Sequence, residues 1–283
     1  MLAAADPFTT RAPSGAAGWA ARFDPAALPV LAATAAGIEE LRPLQEELDA
    51  HTLAEVIVGD PLMTLKLLAH VAGLRRGREG GDPATVTAAL VMLGILPFFR
   101  SFGPQPTVSE RLARLPQSLA GFERVLRRSR RAARFALAFA AHRLDPDAAV
   151  IHEAALLHDF AELLLWLEAP TLALRIAERQ REQPALRSAV VQKELLNIEL
   201  GELQHELMAR WRLPALLVRI TDHSSRADSM QLRNVRLAIR LARHSAHGWD
   251  DPALPDDLRE IGVFLQLAPP HVDKLVREID AED

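Results

Sequence analysis

The sequence predicts an all-α fold, and three observations carry that expectation. Apolar residues recur at helical spacing from Leu28 almost to the C-terminus. Helix-start signals such as Asp60-Pro61, a capping carboxylate followed by proline at the first helical position, stand where those periods begin. Neither a period-two alternation nor an Asn-Gly hairpin turn occurs.

Taken in order, residues 1–27 are rich in Ala, Gly, Pro and Ser with little periodicity and read as a variable, flexible arm. Residues 30–41 suggest one helix and 43–48 a short second. Thr52 is a candidate cap for a helix whose Leu53, Val56 and Ile57 share a face and which ends near Gly59. Asp60-Pro61 starts the next helix, running to Ala72 with Leu62, Leu65, Leu68 and Ala69 as its inner stripe. The Arg/Gly-rich stretch 74–82 is a loop, 85–93 a buried helix and 96–102 a short apolar one. A proline-containing link at 103–106 precedes a helix at 108–115.

Residues 121–143 form one long helix. Val125, Ala132, Ala133, Ala136, Phe139 and Ala140 are expected to face inward, and Arg124, Arg127, Arg128, Arg131 and Arg134 outward. Asp147 begins a helix that carries His158-Asp159. Helices at 170–181, 185–196, 201–211, 214–222, 234–247, 256–267 and 270–279 complete the chain.

Composition removes whole classes of function. With no cysteine, disulfides, zinc-thiolate sites, iron-sulfur clusters and thiol nucleophiles are excluded. A formal charge of −4 gives no general pull toward nucleic acid or an anionic membrane. Aromatics are only 5% and tyrosine is absent, which leaves few stacking platforms for single strands. Thirty arginines against three lysines resemble the bias of a GC-rich bacterial genome, so single arginines carry little functional weight. The longest apolar run, 88–99, falls well short of the roughly 20 residues of a membrane span. No basic region precedes an apolar N-terminal stretch, so no secretory leader is expected and the cytoplasm is the expected compartment.

The most informative pair is His158-Asp159, within Ala154-Ala155-Leu156-Leu157-His158-Asp159. A carboxylate among leucines needs a partner, either a cation or a hydrogen-bond donor set. A His-Asp doublet can give two ligands to one divalent ion. Four further stretches stand in register with it: Asp60-Pro61-Leu62-Met63-Thr64-Leu65-Lys66-Leu67-Leu68, Ala88-Ala89-Leu90-Val91-Met92-Leu93-Gly94, Trp211-Arg212-Leu213-Pro214, and His223. Together they resemble the HDOD domain, a non-catalytic relative of the HD phosphohydrolases found in bacterial signalling proteins, over about residues 28–267. The resemblance implies a two-lobed helical bundle. An N-terminal helical lobe would occupy 28–106, and a degenerate HD-like lobe with C-terminal helices 107–283.

Departures from the metal-binding pattern decide what function that resemblance implies. The upstream ligand position falls near Arg128-Ser129 and the downstream one at Ala242-Arg243, so two cations stand where ligands would. Phe160-Ala161 replaces the usual glycine after the doublet, Leu200-Gly201 stands at the expected third histidine, and Ala72-Gly73 replaces the family's Asn-Ser. The expectation is that Arg128 and Arg243 pair with Asp159. On this reading His158, Asp159 and His223 are remnants of a site, with no catalytic residue and no cofactor. If any ion binds, it is a divalent metal. His205, and His244 with His247, are lesser candidates for a rebuilt metal site, and His152 reads as structural. The Arg124–Arg134 run reads as a solvated face or a salt-bridge surface, with Asp250-Asp251 and Asp256-Asp257 as candidate partners, and 75–81 lacks a P-loop ending.

Two functional classes follow. One is a regulatory protein that binds another signalling protein in trans. The other is a metal-dependent phosphohydrolase of a nucleotide or phosphodiester. A cyclic dinucleotide on the arginine face ranks below both.

Overall fold

A computed structural model of the chain describes residues 8–75, 82–183, 186–221 and 229–281. The first half holds α1 (Gly15–Ala20), α2 (Ala32–Leu41), α3 (Ala50–Ile57), α4 (Pro61–Leu74), α5 (Val86–Leu93), α6 (Ile95–Ser101), α7 (Val108–Arg111) and α8 (Pro116–His142). There follow α9 (Ala148–Leu156), α10 (Phe160–Glu168), α11 (Pro170–Glu182), α12 (Ser188–Leu196) and α13 (Leu200–Trp211). The last four are α14 (Ala215–Thr221), α15 (Met230–His244), α16 (Leu254–Leu265) and α17 (Pro269–Ala281). The protein is all-α. Its one β feature among the described residues is an isolated parallel bridge between Val30 and Thr107. No described helix is long and apolar enough to cross a membrane.

The chain divides into two compact units, each made of two separated stretches. Unit 1 comprises Met1–Val125 and Phe160–Pro214, and unit 2 comprises Leu126–Asp159 and Ala215–Asp283. The sequence boundary at 106/107 is not among these divisions, and α8 passes Val125 as an unbroken helix.

Within unit 1, α4 is buried almost all round: Pro61 to Leu68, Val71 and Ala72 are all inaccessible. Asp60 caps it as the sequence predicts. One carboxylate oxygen accepts the Leu62 and Met63 N–H groups at 2.9 and 3.1 Å, and the other accepts the Leu31 N–H at 2.8 Å. Burial pushes the Asp60 carboxyl above its ordinary value, and those donors oppose the rise. Gly94 joins α5 to α6 at φ +85° and ψ 150°, a backbone region essentially reserved for glycine.

Three expectations need correction here. The N-terminal arm is built into unit 1 from residue 8 onward. Trp19 is fully buried with its indole N–H on the Leu196 carbonyl at 2.9 Å, and Thr9 bonds the Glu168 backbone and side chain. Low periodicity hid this, because Thr9, Trp19, Ala20 and Phe23 are buried without a helical repeat. The cap of α3 is Asp49, which accepts the Thr52 N–H, rather than Thr52 itself. Helix α5 is only half buried. Val86, Ala89 and Leu90 face in, while Val91 and Met92, turned away by the helical period, are 69% and 48% exposed.

Unit 2 packs α9 and the later part of α8 with α15, α16 and α17 around Phe135, Phe139, Ile151, Leu241, Ile261, Phe264, Val272 and Val276. The expected inner face of the long helix is buried throughout. Its arginines are a correction: Arg124 and Arg127 are exposed, but Arg128, Arg131 and Arg134 are half-buried.

Candidate functional site

The doublet sits at a helix break in unit 2. Helix α9 ends at Leu156, and Leu157 to Asp159 form a turn before α10. The Leu157 N–H keeps the α-helical bond to Glu153 O at 2.9 Å, and the His158 N–H turns back to Ala155 O at 3.3 Å in the tighter 3-10 pattern. The sequence predicts a continuous helix here, since no glycine or proline marks the stop.

Asp159 is held from three sides within unit 2. Arg128 Nε donates to Oδ2 at 2.8 Å, and its Nη2 lies 2.8 Å from the same oxygen. His158 Nδ1 meets Oδ1 at 2.8 Å, and Arg243 Nη2 reaches Oδ1 at 3.4 Å. An ionised carboxylate only accepts, so His158 carries its hydrogen on Nδ1. The pairing of Asp159 with both arginines is therefore as the sequence expects. Asp159 and Arg128 are 13% and 21% exposed at the side chain, whereas Arg243 is 54% exposed, so Arg128 is the stronger partner. Burial alone would raise the Asp159 carboxyl. The positive field of Arg128, then of His158 and its hydrogen bond, then of Arg243, outweighs it and holds the group well below the usual carboxylate range.

The two helices that supply these arginines are fixed by a second set of contacts in the same unit. Asn234 of α15, 1% exposed, donates to the Ala136 carbonyl of α8 at 3.1 Å. Arg131, one turn along α8 from Arg128, grips Asp280 with Nε and Nη2 at 2.6 and 2.9 Å and also donates to Ser245 Oγ at 2.9 Å. Asp280 is the partner that sequence reasoning missed. The acidic pairs it favoured serve otherwise: Asp257 binds His244 at 2.6 Å and Arg240 at 2.7 Å, and Asp256 pairs with Arg259.

The remaining candidates do not assemble. His223 lies outside the described residues. His205 is exposed on α13 of unit 1, His247 is exposed, and half-buried His152 has its basicity lowered by burial. Among the described residues no group of three His, Asp or Glu side chains could hold a metal ion. With both Asp159 oxygens already accepting from cations and imidazole, the described donor set does not fit a divalent ion.

A model of the HDOD domain matches residues 28–227, which is most of the chain. This chain belongs to the HDOD domain family. A comparison with curated proteins found no match. Among solved structures, the HDOD chain is similar to the MmoQ response regulator of Methylococcus capsulatus. The two are 19% identical with a TM-score of 0.66, covering 88% of this chain and 98% of that one. It is also similar to a virulence factor of Campylobacter jejuni at 16% identity and a TM-score of 0.60, covering 90% and 95%. Both likenesses concern the fold. Within the HDOD frame, the Asp60 cap, the Gly94 turn and the left-handed Arg212 that ends α13 explain three of the motifs as local structure.

The Asp159 geometry sets a pH dependence. Because its carboxyl is depressed in the folded state, its contribution is present above the unfolded value and is lost as pH falls below about 4 toward the depressed folded value. The stability gap between the wild type and Asp159→Asn, read by urea unfolding, should therefore be largest at neutral pH and shrink steadily through acid. A gap independent of pH would contradict the ion pairing.

Proposed function

We propose that this HDOD protein is a non-catalytic regulator that works by binding another signalling protein in trans, without a metal cofactor. One observation carries the reading: Asp159, the acid of the doublet, accepts from Arg128, His158 and Arg243 at the positions where an HD enzyme would present metal ligands. Guanidiniums there repel a divalent ion and satisfy the carboxylate in its place. The doublet then serves to tie the α9 end to α8 and α15. The Methylococcus capsulatus protein of similar fold carries the name response regulator, which accords with a regulatory role.

The test pairs two measurements on the full chain. The first is hydrolysis of nucleotides and phosphodiesters with added Mn2+ or Mg2+, comparing wild type with Asp159→Ala. The second is capture of partners from the native host. The proposal expects no Asp159-dependent turnover and a specific co-purifying signalling protein. Metal-stimulated turnover that Asp159→Ala abolishes would overturn it in favour of a phosphohydrolase.

A further inference from the structure

Unit 1 leaves an apolar face uncovered. Among the described residues ten large hydrophobic side chains are exposed, and three of them, Val91, Met92 and Leu96, fall within six residues on α5 and α6 at 69%, 48% and 41% exposure. Half-buried Ala88, one turn before Val91 and Met92, extends the face on α5, and Ile95 and exposed Pro97 extend it beside Leu96. Single exposed leucines are ordinary on any protein, whereas a contiguous apolar patch marks a contact site. The helices that carry it are held firmly from within. Thr85 caps α5 by accepting the Ala88 N–H at 3.1 Å, and Phe98 and Phe99 bury the other side of α6. Arg42 fastens the end of α6, donating to the Phe99 and Phe102 carbonyls at 2.9 Å each. A face fixed in this way loses little further freedom on binding.

We propose that the α5–α6 face docks a second copy of this chain, by a two-fold contact that sets the face against itself. Charge decides the occupant. No charged residue occurs from 83 to 99, so a symmetric contact brings no like charges together at its centre. At the borders, Arg100 is exposed near the end of α6 and Glu55 is exposed on α3, which packs against α5. Neither has an ion pair among the described residues. A two-fold contact reverses one face on the other, which allows border charges of opposite sign to meet. A membrane surface fits less well, since a helix that lies on lipid carries Lys or Arg along its polar side, and α5 has neither. The face belongs to unit 1 and uses nothing of the Asp159 region, so this assignment and the regulatory reading stand or fall separately.

Sedimentation equilibrium of the purified chain reads the contact directly. The expected wild type is a reversible dimer, at twice the chain mass of 31.1 kDa, predominant at about 100 µM. Val91→Glu sets like charges against each other in the contact and should raise the dimer dissociation constant at least about tenfold. Because Val91 is 69% exposed, the melting temperature of the variant should stay within about 2 °C of wild type. Val263→Glu is the control. Val263 is 67% exposed but lies on α16 of unit 2, so this variant should dimerise as wild type does.

A wild type that stays monomeric at that concentration overturns the proposal. So does a dimer that Val91→Glu leaves intact, or one that Val91→Glu and Val263→Glu weaken equally. Should Val91→Glu lose its fold, Met92→Lys at a 48% exposed site makes the same comparison. Monomeric wild type that binds anionic lipid vesicles, with binding lost in Val91→Glu, would overturn the second-copy assignment in favour of a membrane.

Discussion

Arg128→Ala is expected to lower the unfolding free energy by about 3 kcal/mol, the lower end of the cost of breaking a buried ion pair. The reasoning rests on what remains. Asp159 would keep His158 at 2.8 Å and the more exposed Arg243 at 3.4 Å, but would lose both donors on Oδ2. A carboxylate 13% exposed at the side chain cannot recover that solvation from water. Arg128→Lys keeps the charge and loses the two-donor geometry, so it should cost less, about 1–2 kcal/mol. Combining Arg128→Ala with Asp159→Asn should recover part of the loss, because the uncompensated charge is then absent. Urea unfolding with an unchanged m value reads these differences directly. A value for Arg128→Ala within about 0.5 kcal/mol of wild type would place the pair among ordinary surface contacts.

Trp19→Ala should cost about 3–5 kcal/mol, as expected for removing a large buried ring. Trp19 is fully buried in unit 1, and its loss leaves both a cavity and the Leu196 carbonyl without its indole donor. The arm has further ties, with Thr9 on Glu168 at 2.7 Å and Arg22 Nε on the same carboxylate at 2.9 Å. A cooperative loss of stability in the mutant means that residues 8–27 fold with unit 1. A change below about 1 kcal/mol would instead mean that the arm detaches while the rest stays folded.

How far the sequence could be read depended on whether a feature was local. Most helices after Leu28, the Asp60-Pro61 start and the inner face of α8 follow from spacing within a few residues and are as expected, whereas α1 and the separate α10 are not. Arg128 and Arg243 opposite Asp159 could be foreseen as well, because the family pattern fixes which positions converge. The partner of Arg131 could not, since Asp280 is 149 residues away and nothing in the periodicity couples them. The break at 157–159 was equally hidden, because Ala, Leu, His and Asp give no stop signal. Lys66 illustrates a third limit. In the sequence it sits inside a recognised helix motif, and only the fold shows that it is buried with its ammonium on Gln105.

Equilibrium dialysis of the purified chain against Mn2+, followed by elemental analysis, tests most directly whether the doublet is an ion pair or a metal site. With Arg128 on Asp159, the account predicts no stoichiometric ion and no difference between wild type and Asp159→Ala. One ion per chain, retained by wild type and lost in Asp159→Ala, would contradict it.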